Sequence, residues 1–344
     1  MVNGSDIHKL LNILHKASFG FSFIFNSYLI FLILTESPKE FSIYKYLLVF
    51  TSIFEIVYSA LEAYLVPIHY AFEATDMVMI SLTDKPFSRF TLLVLNSVYW
   101  GFFGSTLSIY AVHFIYRYLA VSKNDLLQTF NSWKFLLWLL VPVLVGVFWC
   151  FIGFHFCGPD KNTIKLARNH ILKSFEEPIE NFVYLGGTMY TFSITGTILP
   201  NYKVLIAVLL MTSTVVISFA IILYCGVKCY RLIKKMMEST STLSAKSKSL
   251  QSQLFYALVI QIIIPTILLN LPLTVFLILT LMNRGPGEYS GYLSLLITLY
   301  PVIDPLPNFF IITPYRRAIL DCFRRGTIIP EVTVPPNSIH ITRT

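Results

Sequence analysis

Four ionisable side chains, Glu55, Glu62, Arg117 and Asp304, lie in or at the edge of long apolar runs. A charge at the centre of a membrane helix costs roughly 2.5–3.5 kcal/mol on insertion scales, so each needs a reason to be there. Glu55 and Glu62 are seven residues apart, which puts them on one helical face with Tyr58 and Ser59. That face is expected to look into a helix bundle, either as a polar network that fixes packing or, for Glu62, as a contact to ligand or lid. Catalysis would need a nucleophile with its base, or a set of metal ligands. His113 and His155 fall toward opposite ends of their runs, and Cys150, Cys157, Cys225, Cys229 and Cys322 show no metal spacing. The reading is a protein without enzyme activity, cofactor or metal. Cys150 and Cys157 share one run about two turns apart, too far to bridge in a helix, so no disulfide framework is expected.

The remaining residues suit movement rather than catalysis. Arg117 closes the segment HFIYRYLA, and Tyr110, Thr106, Phe103 and Tyr99 follow it back along one helical stripe. The stripe could carry a signal along the helix or be ordinary aromatic core, and Arg117 could simply snorkel to the interface. In YPVIDPLPNFF, Pro301, Pro305 and Pro307 each lack an N–H, so the helix around Asp304 must kink or loosen. Pro265 and Pro272 repeat the device beside Gln261 and Asn270, whose amides can bond across helices.

The elements that must position these groups are membrane helices. Of 344 residues, 55% are hydrophobic and 13% charged, against roughly 25% charged in soluble domains. Seven stretches are long enough to span: Ala17–Leu34, Tyr46–Val66, Phe90–Tyr116, Phe135–Phe156, Val204–Gly226, Leu254–Leu281 and Tyr292–Ile312. The expected fold is an all-α seven-transmembrane helix bundle over 17–312, with an extracellular N-terminus at 1–16 and a cytoplasmic tail at 313–344. The net charge of +8 comes from short basic loops rather than a nucleic-acid-binding face. Placing the N-terminus outside puts sixteen of the 26 Lys and Arg on the inner side, and five of the other ten in one long loop. The first span then reads as an uncleaved signal anchor, and Asn3-Gly4-Ser5 is a glycan acceptor on the outer side. An odd span count without a half-to-half repeat argues against a two-repeat transporter. A seven-helix ligand-gated channel, the alternative, would have its N-terminus inside.

The segments YKYLLVF, HFIYRYLAV, QLFYALVIQIIIPTI and YPVIDPLPNFFIITPYRRAI together make the chain resemble the Str family of nematode seven-transmembrane chemoreceptors and its close relatives. The resemblance covers nearly the whole chain. It implies a G-protein-coupled receptor of the plasma membrane, concentrated in sensory cilia, that detects a small odorant or other chemical cue and activates a heterotrimeric G protein. Arg117 and Tyr118 then look like the arginine and tyrosine of the acid-Arg-Tyr signature, with Tyr116 in place of the acid. Asp304-Pro305 looks like the hinge of the span-seven signature, with Asn308 where its tyrosine would stand. Arg117, Tyr118, Asp304, Pro305 and Pro265 are the residues assigned to activation and coupling. The disulfide common between span three and the second outer loop lacks its span-three cysteine here.

The second outer loop, 157–202, contains a helical pattern over Asn162–Phe175 and then FVYLGGTMYT, read as a hairpin turning at Gly186-Gly187 and lying over the bundle mouth. Beneath it, Glu62, Tyr99, Phe103, Asn270 and Tyr292 are the candidate ligand contacts. The third inner loop, 227–253, carries six Lys and Arg and a Ser/Thr cluster, suited to anionic lipid or a G-protein subunit, unless it is a solvated linker. PYRRAILDCFRR is expected to form an amphipathic helix on membrane lipid, with Cys322 as a palmitoylation site. Glycosidase treatment of the expressed protein should increase its gel mobility through loss of the Asn3 glycan. Protection of the N-terminus from protease in intact cells would overturn the orientation.

Overall fold

The computed structural model describes residues 4–83, 85–239 and 244–327; Asn3 and the end of the tail lie outside them. The chain runs α1 (Gly4–Glu36), α2 (Tyr44–Leu65), β1 (Ile68–Glu73), β2 (Thr75–Ser81), α3 (Arg89–Ser122), α4 (Phe135–Phe156), α5 (Lys161–Phe175) and β3 (Phe182–Thr188). There follow β4 (Tyr190–Phe192), β5 (Ile198–Pro200), α6 (Tyr202–Glu238), α7 (Ala245–Pro265), α8 (Leu271–Leu281), β6 (Gly285–Gly287), α9 (Gly291–Ile303), α10 (Leu306–Ile311) and α11 (Thr313–Thr327). Seven helical segments are long and apolar enough to cross a membrane, one for each predicted span. Lipid offers no partner for backbone N–H and C=O, so each apolar run closes its bonds as helix. Several helices run past their apolar stretch. α1 already starts at Gly4, and α6 and α7 take up most of the basic segment between them, whose Lys, Met and Glu favour helix.

Close packing rests on small residues. A Cβ added to Gly101 of α3 would lie 2.7 Å from the Gly146 carbonyl oxygen of α4. Ser105 donates to the carbonyls of Gly101 at 2.9 Å and Pro142 at 2.8 Å, tying α3 to α4 at this close approach. The prolines break spans six and seven as their chemistry requires. α7 ends at Pro265 and passes through a π turn (Thr266–Asn270), where the Asn270 amide donates to the Pro265 carbonyl at 3.1 Å, before α8 resumes. α9 stops at Ile303, and after the Asp304-Pro305 turn the chain restarts as α10.

One end of the bundle carries a four-stranded antiparallel sheet in the order β3-β2-β1-β6. The hairpin expected at Gly186-Gly187 is not there. β3 passes straight through both glycines and pairs with β2, Asp76 opposite Gly187 and Met77 opposite Gly186. Gly186 has φ +128°, and a Cβ on it would sit 2.2 Å from the Asp76 carbonyl oxygen, so the pair admits close backbone contact instead of a turn. The sheet lies between the bundle and α5, which forms where a helix was predicted and is capped by Asp160 accepting from Asn162 and Thr163 at 2.9 and 3.0 Å. Met77 and Met79 pack toward α5 with Ala167 and Ile171, while Val78 and Ile80 pack into the bundle with Tyr99 and Leu92. At the other end α11 docks through buried Tyr315, whose hydroxyl meets Ser37 at 2.8 Å. Gly186→Ala should lower stability by about 1–3 kcal/mol, read as a lower Tm of the detergent-solubilised protein. An unchanged Tm would mean that the sheet is not closely paired there.

Candidate functional site

Between the sheet and the bundle is a cavity of about 190 Å³. A single water needs roughly 10–15 Å³ on the same measure, so a small organic molecule fits. Its walls come from α3 (Tyr99, Trp100, Phe103), α4 (Trp149), α6 (Val204, Met211, Thr212) and the π turn with α8 (Asn270, Leu273, Thr274); its roof comes from the sheet (His69, Asp76, Val78, Gly187). Phe103 and Trp149 lie 5.9 Å apart, and the Trp149 indole donates to Thr214 at 2.9 Å, which fixes the α4 wall against α6. His69 contacts the Tyr99 hydroxyl at 3.4 Å, joining roof to wall. Burial, with a smaller contribution from His15, depresses His69 to about 3, so it stays neutral and serves as a hydrogen-bonding group.

Of the predicted ligand contacts, Tyr99, Phe103 and Asn270 line this cavity, whereas Glu62 and Tyr292 do not. Glu62 is buried against α1, 3.9 Å from His15, because the glutamate face of α2 packs on α1 and α9 rather than on the mouth. Tyr292 is 63% exposed and stacks beside Tyr289 at 6.5 Å. The residues sequence reasoning missed are in the segment between spans two and three: β1 and β2 supply Asp76, His69 and Val78. Their strands are buried on both faces, so no period-two alternation marks them.

Below the cavity, polar side chains run to the other end of the bundle. Tyr58 stacks on Tyr99 at 5.7 Å and meets Tyr300 at 6.2 Å. Tyr300 contacts Tyr110 and Thr106. Tyr110 donates to Asp304 at 2.5 Å, and the Gln261 amide reaches the other carboxyl oxygen at 3.0 Å and the Asp304 carbonyl at 3.3 Å. Glu55 lies against Asp304 and Asn26, yet neither of its oxygens receives a donor. Two facing carboxyls have no hydrogen between them unless one keeps a proton. His113 is bonded to Thr51 at 2.9 Å and to the Tyr44 hydroxyl at 3.2 Å.

Tyr44 in turn lies under the Arg117 guanidinium, 5.4 Å from ring centre to carbon. Arg117 is buried and donates to the Gln251 carbonyl of α7 at 2.7 Å. Tyr116, in the acid's place, stacks on Tyr44 at 5.1 Å and meets Phe130 edge-on at 5.0 Å. Tyr118 lies apart, its ring 6.5 Å from Tyr224 of α6. Pro265 and Pro305 mark the two helix breaks, and Cys322 is exposed on α11.

The family model described as serpentine type 7TM GPCR chemoreceptor Str matches residues 11–320. The chain is 28% identical over 296 residues to the Caenorhabditis elegans protein named G-protein coupled receptor str-217, covering 86% of this chain and 85% of that one. It is 29% identical to serpentine receptor class r-10 of Caenorhabditis briggsae, over 91% of each chain, and 29% identical to G-protein coupled receptor str-33 of Caenorhabditis elegans, over 93% of each.

Asp304→Ala should destabilise the protein by about 3 kcal/mol or more, since it strands the Tyr110 hydroxyl and the Gln261 amide in the core. Asp304→Asn, which keeps an acceptor, should cost less. Thermal unfolding of the purified variants gives the order, and equal Tm values for all three proteins would remove Asp304 from its central place.

Proposed function

The chain belongs to the Str family of serpentine seven-transmembrane chemoreceptors, and from that membership we propose that it binds a small organic cue in the cavity under the sheet and activates a heterotrimeric G protein at the opposite end. The observation that carries this is the series of side chains from Tyr99 through Tyr58 and Tyr300 to Tyr110, which bonds Asp304 and lies beside His113, and on through Tyr44 to Arg117. The helix breaks at Pro265 and at Pro305 border the cavity or this series. Tyr99, Phe103 and Asn270 are the ligand contacts on this reading; Glu62 and Tyr292 lie outside the cavity.

The sheet faces the exterior, with the N-terminus, and the basic extensions of α6 and α7 face the cytoplasm with α11. The G protein docks among Arg117, Tyr118 and those extensions, and α11 lies on the inner leaflet, where Cys322 is open to acylation. Such a receptor acts at the plasma membrane, and the sensory cilium is the expected site. Signalling requires Arg117 to leave or exchange its bond to Gln251 when α7 moves.

Arg117→Ala should reduce ligand-evoked G-protein activation more than tenfold at unchanged surface expression, and Arg117→Lys should restore part of it. Normal evoked signalling in Arg117→Ala, measured by cyclic-nucleotide or calcium response, would remove the assigned role. The same assay in cells lacking G proteins separates the receptor from a channel, because odorant currents that persist there would refute coupling.

A further inference from the structure

Resting on the reading of the cavity as the ligand site, we infer that the cue is a small organic cation, a protonated amine with an apolar body, and that Asp76 in the roof is its counter-ion. The strand pairing puts Asp76 on the bundle face of the sheet, in step with Val78 and Ile80. Its cross-strand neighbours are Ala71 on β1 and Gly187 on β3, neither of which brings a donor side chain or fills the space beside the carboxyl. Asp76 is also the one residue of β2 not fully buried, and it lines the cavity. Among the described residues it takes part in no salt bridge.

A carboxylate inside a largely apolar enclosure is stable only if it is hydrogen-bonded, paired or gives up its charge. A bound ammonium would supply the missing partner. The aromatic wall at Tyr99, Trp100, Phe103 and Trp149 would then cover its apolar body and favour the cation by its ring faces. A neutral ligand would leave the acid unpaired.

The groups facing Asp76 do not compete for this role. They are neutral His69 from β1, Tyr99 from α3 and the Cys157 thiol at the end of α4, held up to about 12 by burial and by Asp76; the Asp160 carboxyl, beyond Gly187, caps α5 and does not line the cavity. The linings from α6 and α8 contain neither acid nor base. Burial raises Asp76 to about 6, partly offset by the Met77 N–H. The acid is therefore mostly ionised at neutral pH, and amine binding should weaken as pH falls through that value.

The test uses the full-length purified receptor and ligand-induced shifts in Tm, with isopentylamine against 3-methylbutanol and benzylamine against benzyl alcohol. Each amine should bind at least tenfold more tightly than its alcohol, as a charge-assisted bond requires. Asp76→Asn should erase that preference and Asp76→Glu should keep part of it, the unliganded Tm reporting that each variant folds. Equal binding of amine and alcohol, an undiminished preference in Asp76→Asn, or no amine binding at millimolar concentration would each overturn the inference. G-protein activation is read separately in cells. Asp76-dependent amine binding without activation would leave this inference standing and remove the proposed coupling, while activation by the alcohols alone would do the reverse.

Discussion

The bundle depends on satisfying one buried acid. Asp304 stands where span seven breaks, buried in the bundle, and two other helices bring it donors, Tyr110 from α3 and Gln261 from α7, while the Glu55 carboxyl of α2 lies against it. In hydrocarbon every polar group left alone costs several kcal/mol. The helices are therefore held in the one arrangement that delivers those partners together. Apolar side chains alone would not fix it, because lipid tails are as good a neighbour for leucine as another leucine. The prolines around Asp304 free the backbone locally, so the best-anchored point of the bundle is also where span seven can bend.

The sheet solves a different problem. Outside the membrane the interspan segments must bury their own backbone groups, and they do so by pairing with one another across the mouth, with α5 covering the outer face. A lid built this way is tied to three helices at once through His69 to Ser294, Asn96 to Val78 and Thr188 to Thr163. It roofs the cavity with backbone close enough to admit only glycine at 186.

Much of this was legible in the sequence, and the reason is the membrane itself. Twenty apolar residues have one solution in lipid, so seven runs gave seven helices, and the cost of burying Glu55, Arg117 and Asp304 identified them before their partners were known. The helix α5 could be read because it is amphipathic. The sheet could not. β1 and β2 are buried on both faces, so they lack alternation, and their turn at Glu73-Ala74 carries neither Gly nor Asn. Gly186-Gly187 gave a true signal with a false meaning: paired glycines permit close strand approach as readily as a turn, and only the unseen partner β2 separates the two. Glu62 lies beside His15 of α1 and does not line the cavity, which helical spacing alone does not reveal, because spacing gives a face but not the neighbour that face meets.

The absence of an acid before Arg117 bears on how such a receptor could switch. An arginine paired to a buried carboxylate would cost several kcal/mol to release, because each charge would be left alone. Here its partner is the Gln251 carbonyl, with the Tyr44 ring beneath it. A hydrogen bond to one charged group contributes roughly 1.5–3 kcal/mol, and the carbonyl left behind lies inside α7, whose backbone ladder can still bond it. A ligand shifts an equilibrium only by its difference in affinity for the two states, and a small molecule in a cavity of about 190 Å³ can supply only a few kcal/mol of such difference. A lock of that modest strength is within reach of such a ligand. A full salt bridge at the same place would ask for more than so small a contact surface provides.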